Sequence, residues 1–133
     1  MNIDDLTLGQ LRELKKVFLG EVGPSRAPVS SRFMGRYCVV RCRGAGVHAG
    51  IVGDIDDNFL LLKESRRLWG WDNKKGFTLS CVALYGIDED SSSTKVATQI
   101  PEIYIPVFDI CEFLPCSAES EKSIRENKAY RDD

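Results

Sequence analysis

Arginine and tryptophan side chains are concentrated in one short segment, Arg66 to Trp71. Both tryptophans of the chain lie there, Trp69 and Trp71, directly after Arg66 and Arg67, and Lys75 follows. If the segment is extended, Arg67, Trp69 and Trp71 share one face, because alternate side chains of a strand point the same way. A flat aromatic ring beside a fixed cation suits a ligand that carries both a ring and a phosphate. That description fits a nucleotide.

A structural explanation of the same segment stays open. Tryptophans two positions apart on a strand commonly belong to a hydrophobic core, with neighbouring arginines covering its edge. Alternation puts Trp69 and Trp71 on one face but does not decide which face meets solvent. We therefore expect the arginines to contact a ligand and at least one tryptophan to be available for the core.

A glycine-rich stretch from Gly44 to Gly50 is the second candidate segment, and it contains Ala45, Gly46 and His48. Small side chains let the backbone approach a ligand closely and offer its N–H groups to an anion. The stretch lacks the dinucleotide fingerprint and the lysine of a phosphate-binding loop, so a hairpin or bulge is the alternative. His48 is the only histidine, and no triad-like arrangement accompanies it.

Positive charge is local rather than general. The net charge is −2, yet residues 1–76 carry 13 basic and 9 acidic residues, a net of +4. Arg41 and Arg43 add to the positive field near the glycine-rich stretch. A small anionic ligand fits this distribution better than a long polyanion, so we do not expect nucleic acid as the partner. The candidate ligand-binding residues are Arg41, Arg43, Ala45, Gly46, His48, Arg66, Arg67, Trp69, Trp71 and Lys75.

Catalytic and metal-binding patterns are absent from the sequence. Paired carboxylates occur only where loops or helix starts are expected, so we predict a protein that is not an enzyme. The five cysteines have irregular spacing without a Cys-x-x-Cys pair, which favours reduced thiols, no metal and no cofactor. No apolar run is long enough to span a bilayer, and the acidic N-terminus does not resemble a secretory signal.

The pattern of elements predicts an α+β fold in three parts. Residues 1–23 contain an amphipathic helix over residues 4–19 that could serve oligomerisation, and residues 24–35 are a linker. Residues 36–133 form the ligand-binding domain. Its strands are predicted at 36–43, 47–53, 59–63, 95–100, 102–105 and 108–114, and its helices at 77–86 and 117–127. We expect a small antiparallel curled sheet or open barrel, with the N-terminal helix and a short C-terminal helix.

Over about residues 36–125 the sequence resembles the Thoeris anti-defence protein one family, phage proteins that sequester immune signalling nucleotides. The motifs that carry the resemblance are Val40-Arg41, Ala45-Gly46-Val47, Gly50, Arg66-Arg67-Leu68-Trp69-Gly70-Trp71, Pro101-Glu102-Ile103 and the run from Cys111 to Pro115.

This resemblance implies a phage anti-defence protein in the cytoplasm of the infected bacterial host. It would bind cyclic ADP-ribose derivatives, and in some members cyclic oligonucleotides, without cleaving them. It would also be a homo-oligomer, a dimer or hexamer, with ligand sites between protomers. Two alternatives remain: a small β-barrel that binds nucleic acid, and an oligomeric phage accessory protein that binds no ligand.

Overall fold

Six β-strands and two α-helices lie within residues 29–130, the part of the chain that the computed structural model describes. The strands are Tyr37–Cys42 (β1), Val47–Ile55 (β2), Phe59–Gly70 (β3), Lys95–Val96 (β4), Ile100–Pro106 (β5) and Ile110–Pro115 (β6). The helices are Leu79–Tyr85 (α1) and Ala118–Arg125 (α2), and short 3-10 turns occupy Val29–Arg32 and Val107–Asp109.

All six strands join in one antiparallel sheet whose order is β4, β3, β2, β1, β6. β3 has two partners on its outer side, because its first half pairs with β5 and its last residues pair with β4. β4 and β5 therefore form one edge of the sheet, and β6 forms the other. Within residues 29–130 these two edges do not pair with each other, so the sheet is open.

The predicted α+β architecture is wrong. The described chain is mostly antiparallel sheet, and its two helices contain only 7 and 8 residues. The strand bounds differ most from the prediction at β3. The sequence pattern separates a strand at 59–63 from the arginine–tryptophan segment, whereas the backbone continues through both as one strand of 12 residues. The amphipathic helix predicted for residues 4–19 lies outside the described residues.

The helices predicted at 77–86 and 117–127 are present as α1 and α2, each shorter than predicted. The Thr78 side chain accepts a hydrogen bond from the Cys81 N–H at the start of α1. Gly86 ends that helix with a φ of 93°, a conformation that glycine adopts without steric cost. At the start of α2 the Ser117 side chain accepts from the Ser120 N–H.

Two hydrophobic clusters lie on opposite faces of the sheet. The cluster beneath the helices contains Val39, Ala49, Leu68, Val82, Ile87, Val96 and Ile124. The cluster on the other face contains Cys38, Val40, Cys42, Val52, Leu60, Leu62 and Ile105. β1 contributes to both, since it is a central strand covered on both faces. Cys38 and Cys42 on this strand are buried, with 0% and 8% of their surface exposed.

Candidate functional site

Glu64 changes the side-chain alternation of β3 and so determines which residues face the candidate site. It has a φ of +50°, and the β2–β3 register shifts beside it. Leu62 and Leu68 are an even number of residues apart, yet they belong to clusters on opposite faces. Arg67 and Trp69 flank Leu68 and therefore point away from the helices, onto the face of Leu62.

A cavity of about 300 Å³ opens on this face, between β3 and the edge formed by β4 and β5. Its walls combine a guanidinium group that can bind an anion, an aromatic ring, hydroxyl groups and aliphatic side chains. The residues that line it are His48, Ser65, Arg67, Trp69, Ala97, Thr98, Ile100 and Ile103. The cavity therefore brings together three of the sequence-predicted site residues: His48, Arg67 and Trp69.

Arg67 supplies a positive charge that no acidic side chain of residues 29–130 neutralises. Its side chain is exposed, and none of the ion pairs among these residues includes it. Its backbone carbonyl oxygen accepts a hydrogen bond from the Ala97 N–H at 2.8 Å, which fixes the strand against the segment between β4 and β5. Because its backbone is fixed by this hydrogen bond and its guanidinium has no acidic partner among residues 29–130, Arg67 is suited to bind an anion.

His48 lies opposite Arg67 on the neighbouring strand and is only 1% exposed. Its Nε2 lies 2.9 Å from the Ala45 carbonyl oxygen, so the neutral ring donates its proton there. Burial holds the pKa of His48 below the ordinary 6.5, and the Arg67 charge lowers it further, although the bond to Ala45 acts in the opposite direction. His48 is therefore neutral near pH 7, and Arg67 carries the positive charge of this pair.

Trp69 and Trp71 have different environments. Trp69 is 64% exposed, and its ring lies 6.3 Å from the ring of Tyr130, measured between centroids. Trp71 comes after the end of β3, packs against the cluster beneath the helices, and donates from Nε1 to the Asn73 Oδ1 at 3.1 Å. The expectation that both tryptophans share a face with Arg67 therefore fails where the strand ends.

Arg66 has a structural role. It is 4% exposed and points to the helix-covered face, opposite the cavity. Its guanidinium donates to the carbonyl oxygens of Ile124 and Asn127, both at 2.7 Å, and to that of Ala97 at 2.8 Å. The Ile124 and Asn127 acceptors lie at the C-terminal end of α2, where carbonyl groups and the helix dipole favour a cation.

The glycine-rich turn already holds an anion from the protein itself. The Gly44 and Ala45 N–H groups donate to the two carboxylate oxygens of Asp109, at 2.8 and 2.9 Å. Gly46 has a φ of +86°, which the turn requires. Asp109 therefore occupies the Ala45 N–H group, and neither Ala45 nor Gly46 lines the cavity with Arg67.

The other predicted basic residues lie apart from the cavity. Arg41 pairs with Glu112 at 2.9 Å on the surface, and Arg43 is exposed beside the Asp109 turn. The Lys75 ammonium lies over the ring of Tyr85, 4.9 Å from its centroid. None of these three side chains lines the cavity.

Several residues beside the cavity carry no local signal in the sequence. Lys95 and Thr98 come from segments far along the chain that the pairing of β3 with β4 and β5 brings to this edge. Tyr130 reaches the same edge because its N–H donates to the Val96 carbonyl oxygen. Among residues 29–130 no group of three or more acidic, cysteine or histidine side chains could hold a metal ion. No helix in that range is long and apolar enough to cross a membrane.

These features define a small open-sheet protein with a cationic and aromatic cavity at one edge. Residues 35–124 match a family described as a domain of unknown function, DUF6948, and the chain belongs to that family. No curated protein matches the chain. The family description names no activity and provides no link to the Thoeris anti-defence proteins.

Proposed function

We propose that this protein binds a nucleotide in the cavity beside β3 and holds it without converting it. The observation that carries the proposal is the guanidinium of Arg67, which has no acidic partner among residues 29–130 and lies in the same cavity as the exposed ring of Trp69. A cation and an accessible ring side by side match the phosphate and the base of one nucleotide.

The Trp69 ring and the Arg67 guanidinium can each contribute to the free energy of binding. Stacking of a base on an aromatic side chain contributes about 1–3 kcal/mol. A hydrogen bond to a charged group contributes about 1.5–3 kcal/mol. Ser65 and Thr98 add hydroxyl groups to the wall, and Ile100 and Ile103 add apolar surface against which a sugar or base can pack.

The size of the cavity favours a small ligand. Its volume of about 300 Å³ is at the lower end of the range for small-molecule sites, so it suits one base with its phosphate. The resemblance to signal-sequestering phage proteins makes cyclic ADP-ribose derivatives and cyclic oligonucleotides the first ligands to test. If such a nucleotide binds, the protein would act by sequestering the signalling nucleotide, which requires high affinity for the nucleotide and no cleavage of it.

Isothermal titration calorimetry tests this proposal. The panel is cyclic ADP-ribose isomers, cyclic di- and trinucleotides, and simple mononucleotides. For any ligand that binds, we expect Arg67→Gln to weaken the affinity about tenfold to a hundredfold, because one charge-assisted contact to phosphate is lost.

Arg43→Gln is the matched control, since it removes the same charge from an exposed residue that does not line the cavity. We expect its affinity to equal that of the wild type. Ligand recovered intact after heating the complex agrees with sequestration, and recovery of a cleaved product would make the protein an enzyme. No binding by the wild type across the panel would refute the proposal.

A further inference from the structure

A second cation lies on the same face of the sheet as Arg67. Val96 pairs with Leu68 and is fully buried in the cluster beneath the helices. Its neighbours Lys95 and Ala97 must therefore point to the opposite face, because side chains alternate along an extended segment. Ala97 does line the cavity beside Arg67. Lys95 lies one step further along the edge, toward the end of β3.

The C-terminal stretch that carries Tyr130 is held in position against β4. The Tyr130 N–H donates to the Val96 carbonyl oxygen at 2.9 Å. Three residues earlier, the carbonyl oxygen of Asn127 accepts from Arg66 at 2.7 Å. These contacts fix the backbone that presents the Tyr130 ring beside Trp69.

Two rings lie between two cations along this edge, in the order Arg67, Trp69, Tyr130, Lys95. The two rings lie 6.3 Å apart between centroids and are tilted by 40°. The Lys95 ammonium lies 4.9 Å from the centroid of the Tyr130 ring. Like Arg67, Lys95 belongs to none of the ion pairs among residues 29–130. The aromatic pair is thus flanked by a cation on each side.

We propose that Lys95 and Tyr130 form a second anion subsite, and that the ligand is a nucleotide with two separate phosphate groups. Arg67 binds one phosphate, the base lies against Trp69, and Lys95 binds the other phosphate beyond the rings. This inference rests on the proposed function, since it extends the same cavity. Two separated cations distinguish such a ligand from a mononucleotide, which offers only one phosphate.

Calorimetry with paired probes tests the second subsite. The probes are the 5′-monophosphates of adenosine and guanosine and the 3′,5′-bisphosphates of the same nucleosides. We expect the wild type to bind a bisphosphate about tenfold or more tightly than its monophosphate, as one further charge-assisted contact provides. Lys95→Gln should abolish this difference and leave the affinity for the monophosphate unchanged.

Lys128→Gln is the control, because it removes an exposed lysine of the same C-terminal region. We expect it to keep the preference for the bisphosphate. If the wild type binds both probes equally, or if Lys95→Gln weakens both to the same extent, the second subsite is wrong while the first stands. If the wild type binds none of the four probes, the proposed function fails for these nucleotides and the second subsite fails with it.

Discussion

His48 and Arg67 are cross-strand neighbours with different charge states, and together they determine the charge of the cavity. Burial keeps the imidazole neutral, while the exposed guanidinium is always charged. A protonated His48 would bring two positive charges together with no acidic partner in residues 29–130. The single cation is therefore the arrangement that the fold stabilises near neutral pH.

The lowered pKa of His48 predicts how stability depends on pH. Because the pKa in the folded protein is below the ordinary 6.5, the unfolded chain binds more protons in the interval between the two values. The free energy of unfolding should therefore fall as the pH drops from 7 through 6.5 to the folded pKa. His48→Gln should remove this part of the dependence, measured by urea unfolding at a series of pH values.

The titration of Asp56 does not interfere with this measurement. Asp56 accepts hydrogen bonds from the Asn58 and Phe59 N–H groups, which lower its pKa below the ordinary 3.8. Its contribution is lost only at more acidic pH, and equally in both proteins. Parallel pH profiles of the wild type and His48→Gln between pH 7 and 5 would show that the His48 prediction is wrong.

Arg66 connects two elements, β3 and the C-terminal end of α2. Its guanidinium donates to the carbonyl oxygens of Ala97, Ile124 and Asn127, and the Ile124 oxygen also accepts from the Asn127 N–H at 3.3 Å. Arg66→Met keeps much of the side-chain volume but removes the guanidinium from all three acceptors, of which only the Ile124 oxygen keeps a backbone donor among residues 29–130. Since an unsatisfied buried acceptor costs about 1–3 kcal/mol, we expect a loss of about 3 kcal/mol in the free energy of unfolding, measured with urea.

Arg41→Met is the surface comparison for Arg66→Met. The Arg41 pair with Glu112 is exposed to solvent, so its loss should cost at most about 1 kcal/mol. If Arg66→Met retains full stability but loses affinity for nucleotides, Arg66 is a ligand residue and the structural assignment is wrong.

Local signals in the sequence predict most elements but not the way they pair. Thr78 bonds to a residue three positions further along the chain, and glycine alone explains the positive φ at Gly86. Both ends of α1 can therefore be predicted from local sequence. The prolines Pro101 and Pro106 correctly indicate an edge strand, because proline lacks the N–H that a central strand needs. The shift at Glu64 has no such signal, and it decides which face Arg67 occupies.

The candidate site is only partly predictable for the same reason. The arginine–tryptophan segment can be recognised from composition, and alternation correctly separates Arg66 from Arg67. Asp109 lies far along the chain from the turn at Gly44, so its occupation of those N–H groups follows from the β1–β6 pairing alone. Lys95 and Tyr130 likewise join the site through long-range contacts.

At the scale of the whole molecule, the cavity depends on the open edge of the sheet. β3 is paired with β2 along one side and with two short partners along the other. The cavity wall includes residues from the segment where β4 has ended and β5 has not begun, Ala97 and Thr98. Arg67 and Trp69 line the cavity at this interruption, where a ligand can reach them from solvent.

Tryptophan fluorescence of two single-tryptophan variants tests the central claim most directly. Trp71→Phe leaves only the exposed Trp69, and Trp69→Phe leaves only Trp71, which packs on the opposite face. When titrated with the nucleotide that binds most tightly in calorimetry, the Trp71→Phe protein should show a saturable change in emission and near wild-type affinity. The Trp69→Phe protein should show no comparable change. A response from Trp71 with none from Trp69 would contradict the assignment of the nucleotide to this cavity.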